Sequence, residues 1–331
     1  MPDPVTHYCF GYRVSDGLDE KIRIHLNMPI FERALQGPDP WATLAFYGGR
    51  RKQYACRGGL MHKMHTGDFL FALAREARET KSDAVFSVLA GAICHYCLDR
   101  TAHPYIICKG GGFDGSKETR AFRGGHVRLE RAIDSYFIRQ TYGMTPWKFS
   151  IPQQIMKLKA YPEILRAPLD RVFQSVYGWE QVFDDLNVAL RDERWFYGMM
   201  QDPVGILRCL LRLISGGDTN YSLYSYYRRE IDFRQLDFLN QQHGVWHHPF
   251  DPQQGSTESF FDLMDRAYAD AKTLIHRAHC FVYDVDCDAF NVLGMQGNLF
   301  ENSNYSTGFL CEDPRNETAP AYEPLPFSEK F

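Results

Sequence analysis

Ser82 to Pro104 reads SDAVFSVLAGAICHYCLDRTAHP. Ser82 and Asp83 form an N-cap and first-turn pair. Val85, Phe86, Val88, Leu89, Ala92, Ile93, Tyr96 and Leu98 leave the helix they open apolar nearly all round. A helix apolar on every side has to be surrounded by other elements, so it is predicted to be the central one. It is predicted to end at His103, because the residue before Pro104 avoids helical geometry. Within this run His95, Asp99 and His103 recur at i, i+4 and i+8, a single stripe at 3.6 residues per turn. A carboxylate and imidazoles in an apolar interior are costly unless they are paired or coordinate a metal. The central helix is therefore also the candidate carrier of chemistry.

Outward from it, helical periodicity dominates and the alternation that marks strands is scarce. The pattern predicts one helix over Asp16 to Leu35, stopped by Gly37-Pro38-Asp39-Pro40. A second covers Gly59 to Thr80, with Phe69, Leu70, Leu73 and Ala77 on one face. Lys109 to Ser116 is a glycine-rich loop, and helical patterning resumes from Arg123 to Tyr142. Asp202-Pro203 is a helix start and Gly216-Gly217 a stop, and Ser256 to Tyr283 is a long amphipathic helix. The expectation is an all-α chain: one helical domain over residues 1–297, followed by an irregular tail, 298–331, rich in proline and acid towards its end.

A chain of 331 residues with 44% hydrophobic and 24% charged residues is an ordinary globular composition with ample core. Its net charge of -4 gives no electrostatic footprint for duplex nucleic acid. Met1 to Val14 lacks the apolar segment of a secretion signal, and the best apolar stretch, Ala84 to Cys94, is too short to span a bilayer. A soluble, cytosolic protein is expected. The nine cysteines show no compact framework, so most are expected to be free, and the lone Cys94-x-x-Cys97 pair reads as core packing. Among hydrolase signatures, the P-loop, the GxSxG elbow, HExxH and an adjacent His-Asp pair are all missing.

A second ligand constellation, His126-Val-Arg-Leu-Glu130, repeats the i, i+4 spacing. Two such helices facing one another supply five nitrogen and oxygen ligands, the chemistry zinc accepts. Seven of the twelve histidines lie at or before position 126, which concentrates the ligand types in the N-terminal half. Asp68 and Asp134 share stripes with these residues, as helix-capping carboxylates or as partners that orient an imidazole. Of His247 and His248, adjacent and so on different faces, at most one is expected to approach a site. Tyr221 to Tyr227 reads as packing and surface. Arg100, Arg120, Arg123 and Arg128 lie near the motifs, either holding a phosphate or solvated and ion-paired.

Thr6-His7-Tyr8-Cys9-Phe10-Gly11, the Gly37-Pro38-Asp39-Pro40 turn, Leu60-Met61-His62 with Thr66-Gly67-Asp68-Phe69, His95-x3-Asp99-x3-His103-Pro104-Tyr105 and His126-x3-Glu130-x3-Asp134 together resemble the zinc-dependent phospholipase C family. The likeness is to its cytosolic bacterial branch and, more distantly, to P1-type nucleases. It covers residues 5 to 137 and is weaker at Trp246 to Leu263 and near Tyr305. It implies an all-helical fold, two or three zinc ions and hydrolysis of a phosphodiester substrate. By motif, His62, His95 and Asp99 would hold one zinc, with Asp99 bridging to another. His103, His126 and Glu130 would hold a second, His7 would serve a third, and Asp39 would lie at the site edge as general base or water-orienting group. His65, three residues beyond His62, competes with it for the same role. Secreted members complete the third site with a processed N-terminal tryptophan and have a longer Asp-to-His spacing, whereas this chain begins Met-Pro and places three residues between Asp99 and His103.

Overall fold

The computed structural model describes residues 4–46, 50–113, 115–117, 119–214, 236–283 and 299–326. Its axis is α7 (Asp83–Gly110), opened by Ser82, whose Oγ accepts a hydrogen bond from Val85 N at 3.3 Å. The helix does not stop at His103. It runs through Pro104 to Gly110, and Gly111, at φ 71°, ends it. A proline inside a helix forfeits one backbone hydrogen bond, to the carbonyl four residues back, here Arg100. Around that carbonyl the chain makes room: Gly308 approaches so closely that a Cβ there would lie 2.6 Å from Arg100 O. Burial on all sides, from Val85 to Cys108, holds the helix together across the lost bond.

The other elements wrap this axis. α1 (Pro4–Asp16), α3 (Met28–Ala34), α6 (Thr66–Thr80), α8 (Gly125–Tyr142) and α13 (Phe260–Tyr283) all pack on α7. Outside them lie the short α2 (Glu20–Arg23), α4 (Pro40–Thr43) and α9 (Ile151–Gln154), together with α5 (Arg50–Met61), α10 (Arg166–Tyr177), α11 (Val182–Met199) and α12 (Ile206–Ile214). Among the described residues the only sheet is an antiparallel pair, β1 (Trp246–His248) and β2 (Asp251–Ser256), so the fold is all-α.

Several boundaries differ from the periodicity. The helix expected over Asp16 to Leu35 is three pieces, α1's end, α2 and α3. Asn27 restarts the chain by accepting from Ile30 N at 3.4 Å, with Pro29 in the first turn of α3. The helix expected over Gly59 to Thr80 is α5 and α6, broken where His65 turns left-handed at φ 56°. The helix expected from Ser256 begins at Phe260, because Ser259 and Asp262 bond reciprocally in a capping box (Asp262 N to Ser259 Oγ 3.2 Å, Ser259 N to Asp262 Oδ2 2.8 Å). The Gly216-Gly217 stop and the Tyr221 to Tyr227 run lie outside the described residues.

The segment after residue 298 is built into the fold. Asn302 Oδ1 accepts from Gly67 N and Asp68 N and so caps α6, and Tyr305 N donates to His62 O at 2.9 Å. Cys94 and Cys97 are free and buried in the core, whereas Cys280 is disulfide-bonded. No described helix is long and apolar enough to cross a membrane.

Candidate metal centre

Asp99 lies in the middle of α7 with no solvent exposure, and four histidines surround it. His95 and His103 come from the same helix, one turn to either side. His62 arrives from the end of α5 and His7 from the first turns of α1. Asp39 arrives from the Gly37-Pro38-Asp39-Pro40 turn between α3 and α4. At that turn Gly37 is left-handed, φ 50°, and a Cβ would stand 2.5 Å from the His95 ring. Only glycine lets the backbone pass this close.

The nitrogen of each ring that faces inward is set by its outer partner. His62 Nδ1 is 2.6 Å from Gly58 O and His95 Nδ1 is 3.1 Å from Leu35 O. A carbonyl only accepts, so both Nδ1 atoms carry the hydrogen and both Nε2 atoms present a lone pair. Those Nε2 atoms meet carboxylates: His62 Nε2 lies 3.2 Å from Asp39 Oδ1 and 3.6 Å from Asp99 Oδ2. His95 Nε2 lies 3.7 Å and 3.3 Å from the same two oxygens. Lone pair faces lone pair, and these four atoms make no hydrogen bond although all are buried. Ligands on one tetrahedral zinc at its usual bond lengths stand roughly 3.3–3.4 Å apart. The residues present fit such an ion.

Two further groupings adjoin the first. Asp99 Oδ1 lies 3.3 Å from His7 Nε2, and the His7 and His95 rings stack at 4.2 Å. On the other side His103 Nδ1 is 3.5 Å from Asp99 Oδ2. Its Nε2 is 3.8 Å from Glu130 Oε1, which His126 Nε2 approaches at 2.9 Å. The candidate ligands thus form three sets, the first two sharing His95 and the third reached from Asp99 through His103: His7, His95 and Asp99; Asp39, His62 and His95; and His103, His126 and Glu130.

Burial shapes the charges. Burial and the neighbouring His95 push the His7 imidazole down to about 4. Burial alone is the leading cause that takes His103 down to about 3 and lowers His62. Neutral imidazoles are the form that binds a metal. Burial pushes Asp39 well above the carboxylate range. Asp99 goes the other way: burial raises it, but the imidazoles of His103 and His95 outweigh that and hold it well below. Glu130 is likewise brought down to about 2, with His126 overcoming burial.

The remaining candidates sit elsewhere. His65 is exposed and pairs with Asp68 at 3.0 Å. His248 is buried with both nitrogens used, one towards Thr307 O and one accepting from Phe250 N. His247 pairs with Glu323 on the surface. Arg100 bonds Asp270 and the Tyr96 hydroxyl. Sequence reasoning assigned no role to Tyr305, whose ring packs 5.2 Å from His62 and 5.7 Å from His95. Together with Trp41, Met61, Phe69 and Phe173 it lines an apolar cavity of about 40 Å³ beside the cluster. No spacing rule points to a residue 243 positions from His62.

An all-α body gathers histidine–carboxylate sets suited to metal ions around one central helix. The family model described as zinc dependent phospholipase C matches residues 25–177, and over that segment the chain is similar to the zinc-dependent phospholipase C family. The match spans every candidate ligand except His7. No curated protein and no solved structure matches the chain.

Proposed function

We propose that the chain is a zinc-dependent phosphodiester hydrolase of phospholipase C type. The observation that carries this reading is the pair of Nε2 lone pairs on His62 and His95, fixed by the Gly58 and Leu35 carbonyls and facing two carboxylates without a hydrogen bond. Burying such an arrangement is costly unless a cation or a proton sits between the facing lone pairs, and four donors converging on one point suit a metal ion. In this reading Asp39, His62, His95 and Asp99 would hold one zinc, and His103, His126 and Glu130 would hold a second. His7, beside Asp99, would serve a third.

Bound zinc ions supply Lewis acidity at phosphorus and a water made acidic enough to attack near neutral pH. The chain's own residues supply the geometry around that chemistry. His62 and His95 are held in one tautomer, and Asp99, fully buried, touches three histidine-bearing elements at once. Asp39 is 8% exposed against 0% for Asp99. It is therefore the carboxylate of the first set that reaches solvent, and the one placed to orient a water or take its proton.

The test is hydrolysis of bis-para-nitrophenyl phosphate by protein of known zinc content, alongside lipid and nucleotide diesters. Turnover that tracks zinc and falls in Asp39→Asn, with most of the metal retained, supports the reading. Zinc-loaded protein inert on every diester leaves a non-catalytic metal-binding protein.

A further inference from the structure

One helix turns an apolar face outward. In α12 Ile206, Leu210, Leu213 and Ile214 recur at i, i+4, i+7 and i+8, a single stripe, and they are 71%, 50%, 78% and 65% exposed. Val204, just before the helix, is 75% exposed, while Leu211 on another face is buried and ties the helix to the body. Scattered apolar residues are ordinary on a protein surface, but a contiguous stripe of them marks a contact site. From Pro203 to Gly217 the sequence carries two cations, Arg208 and Arg212, and no acid, in a chain whose net charge is -4.

We propose that α12 is an interfacial helix that docks the protein on an anionic lipid surface. An amphipathic helix whose only charges are basic, with large aliphatic side chains along one stripe, has the composition of a segment that lies in the headgroup region. A second copy of the chain is the rival occupant, but a stable protein interface takes about 20–30 residues a side. Four apolar side chains on one short helix, with Val204 beside it, fall well short of that. The choice of lipid rests on the phosphodiesterase reading, because a phospholipid substrate resides in such a surface. The docking itself requires no bound metal.

The experiment is co-sedimentation of the full chain, with and without chelator, with vesicles of equal parts phosphatidylglycerol and phosphatidylcholine, and with phosphatidylcholine alone. Binding to the mixed vesicles, weakened at least tenfold on phosphatidylcholine alone and unaffected by chelator, is expected. The triple variant Ile206→Ser, Leu210→Ser, Leu213→Ser should lose at least tenfold in lipid affinity, with an unchanged circular dichroism spectrum and unchanged hydrolysis of a soluble diester. Leu213→Ser alone should lose severalfold, should the triple variant fail to fold. Absence of wild-type binding, or variants that bind as the wild type does, overturns the proposal. So does a wild-type dimer that the triple variant converts to monomer without any vesicle binding, which makes a second copy the occupant. Vesicle binding without activity on any diester sinks the hydrolase reading and leaves the docking intact.

Discussion

Asp134 Oδ1 accepts hydrogen bonds from both the backbone N and the Oγ1 of Thr6, at 2.7 and 2.6 Å, while its Oδ2 accepts from Val5 N at 3.1 Å. The first turn of α1 therefore has its free N–H groups satisfied not by a local cap but by a buried carboxylate from α8. The next residue in the chain is His7. Asp134 stands one helical turn beyond Glu130, so the helix that carries His126 and Glu130 also anchors the helix that carries His7.

Asp134→Ala should lower stability by about 2 kcal/mol, because it leaves two buried amides without their acceptor. It should also lower metal content through His7 alone. Asp134→Asn keeps one carbonyl oxygen for Thr6 and should recover much of both. Urea midpoints and elemental analysis of the three proteins check this, and an Asp134→Ala protein with wild-type stability and zinc would remove the anchoring role.

Gly37→Ala should cost zinc as well as stability, since the new Cβ would meet the His95 ring at 2.5 Å. Gly143→Ala is the control. Gly143 has a similar left-handed backbone, φ 60°, but open space around its Cβ position. Both substitutions carry the strain of a side chain in that region, about 1–2 kcal/mol, and only the first should change metal content. Equal zinc in the two variants would mean that the close approach to His95 does not matter.

The central helix and its ligand stripe were legible because burial and 3.6-residue spacing are written in adjacent residues. Helix interruptions were less so. Asn27 and His65 break the periodicity through single-residue backbone choices that hydrophobic pattern does not register, and Pro104 is carried inside α7 because tertiary burial outweighs one lost hydrogen bond. At the candidate site, the histidines and carboxylates that gather were legible from spacing and resemblance. What fixes them was not: the Gly58 and Leu35 carbonyls, the Thr6–Asp134 clamp and the Tyr305 ring act across separations that only the fold closes. The resemblance puts Asp39 at the site's edge, and its Oδ1 stands 3.2 Å from His62 Nε2, where a carboxylate serves equally as ligand and as base.

Stability should fall in acid through His279, which lies outside the metal centre. It is buried against Phe86 and Tyr283, its Nε2 has no hydrogen-bond partner, and burial, with the nearby His25, pushes it down to about 4. The unfolded chain takes up this proton near the ordinary value of 6.5, before the folded one does. The stabilisation is thus complete above pH 6.5 and is lost as pH falls towards 4. The slope is at most about 1.4 kcal/mol per pH unit. His279→Phe removes the titration. Its urea stability relative to wild type should be constant above pH 7 and should improve steadily below 6.5, and a difference independent of pH would show that His279 does not titrate between these limits.

The two buried aspartates should differ in how much metal each one holds. Asp99 turns its oxygens to different sides, Oδ1 to His7 and Oδ2 to His62, His95 and His103, whereas the histidines that Asp39 meets among the described residues are His62 and His95, through Oδ1. A carboxylate shared between ions supports every ion it touches, so Asp99→Ala should release more zinc per chain than Asp39→Ala. It should also destabilise the protein more. The imidazoles lose their common counter-charge at the centre of α7, and each zinc released withdraws its contribution to the folded state. Elemental analysis after gel filtration at neutral pH, with thermal midpoints measured on the same samples, reads both quantities. Equal zinc loss in the two variants would contradict a bridging role for Asp99 and reduce the cluster to separate sites.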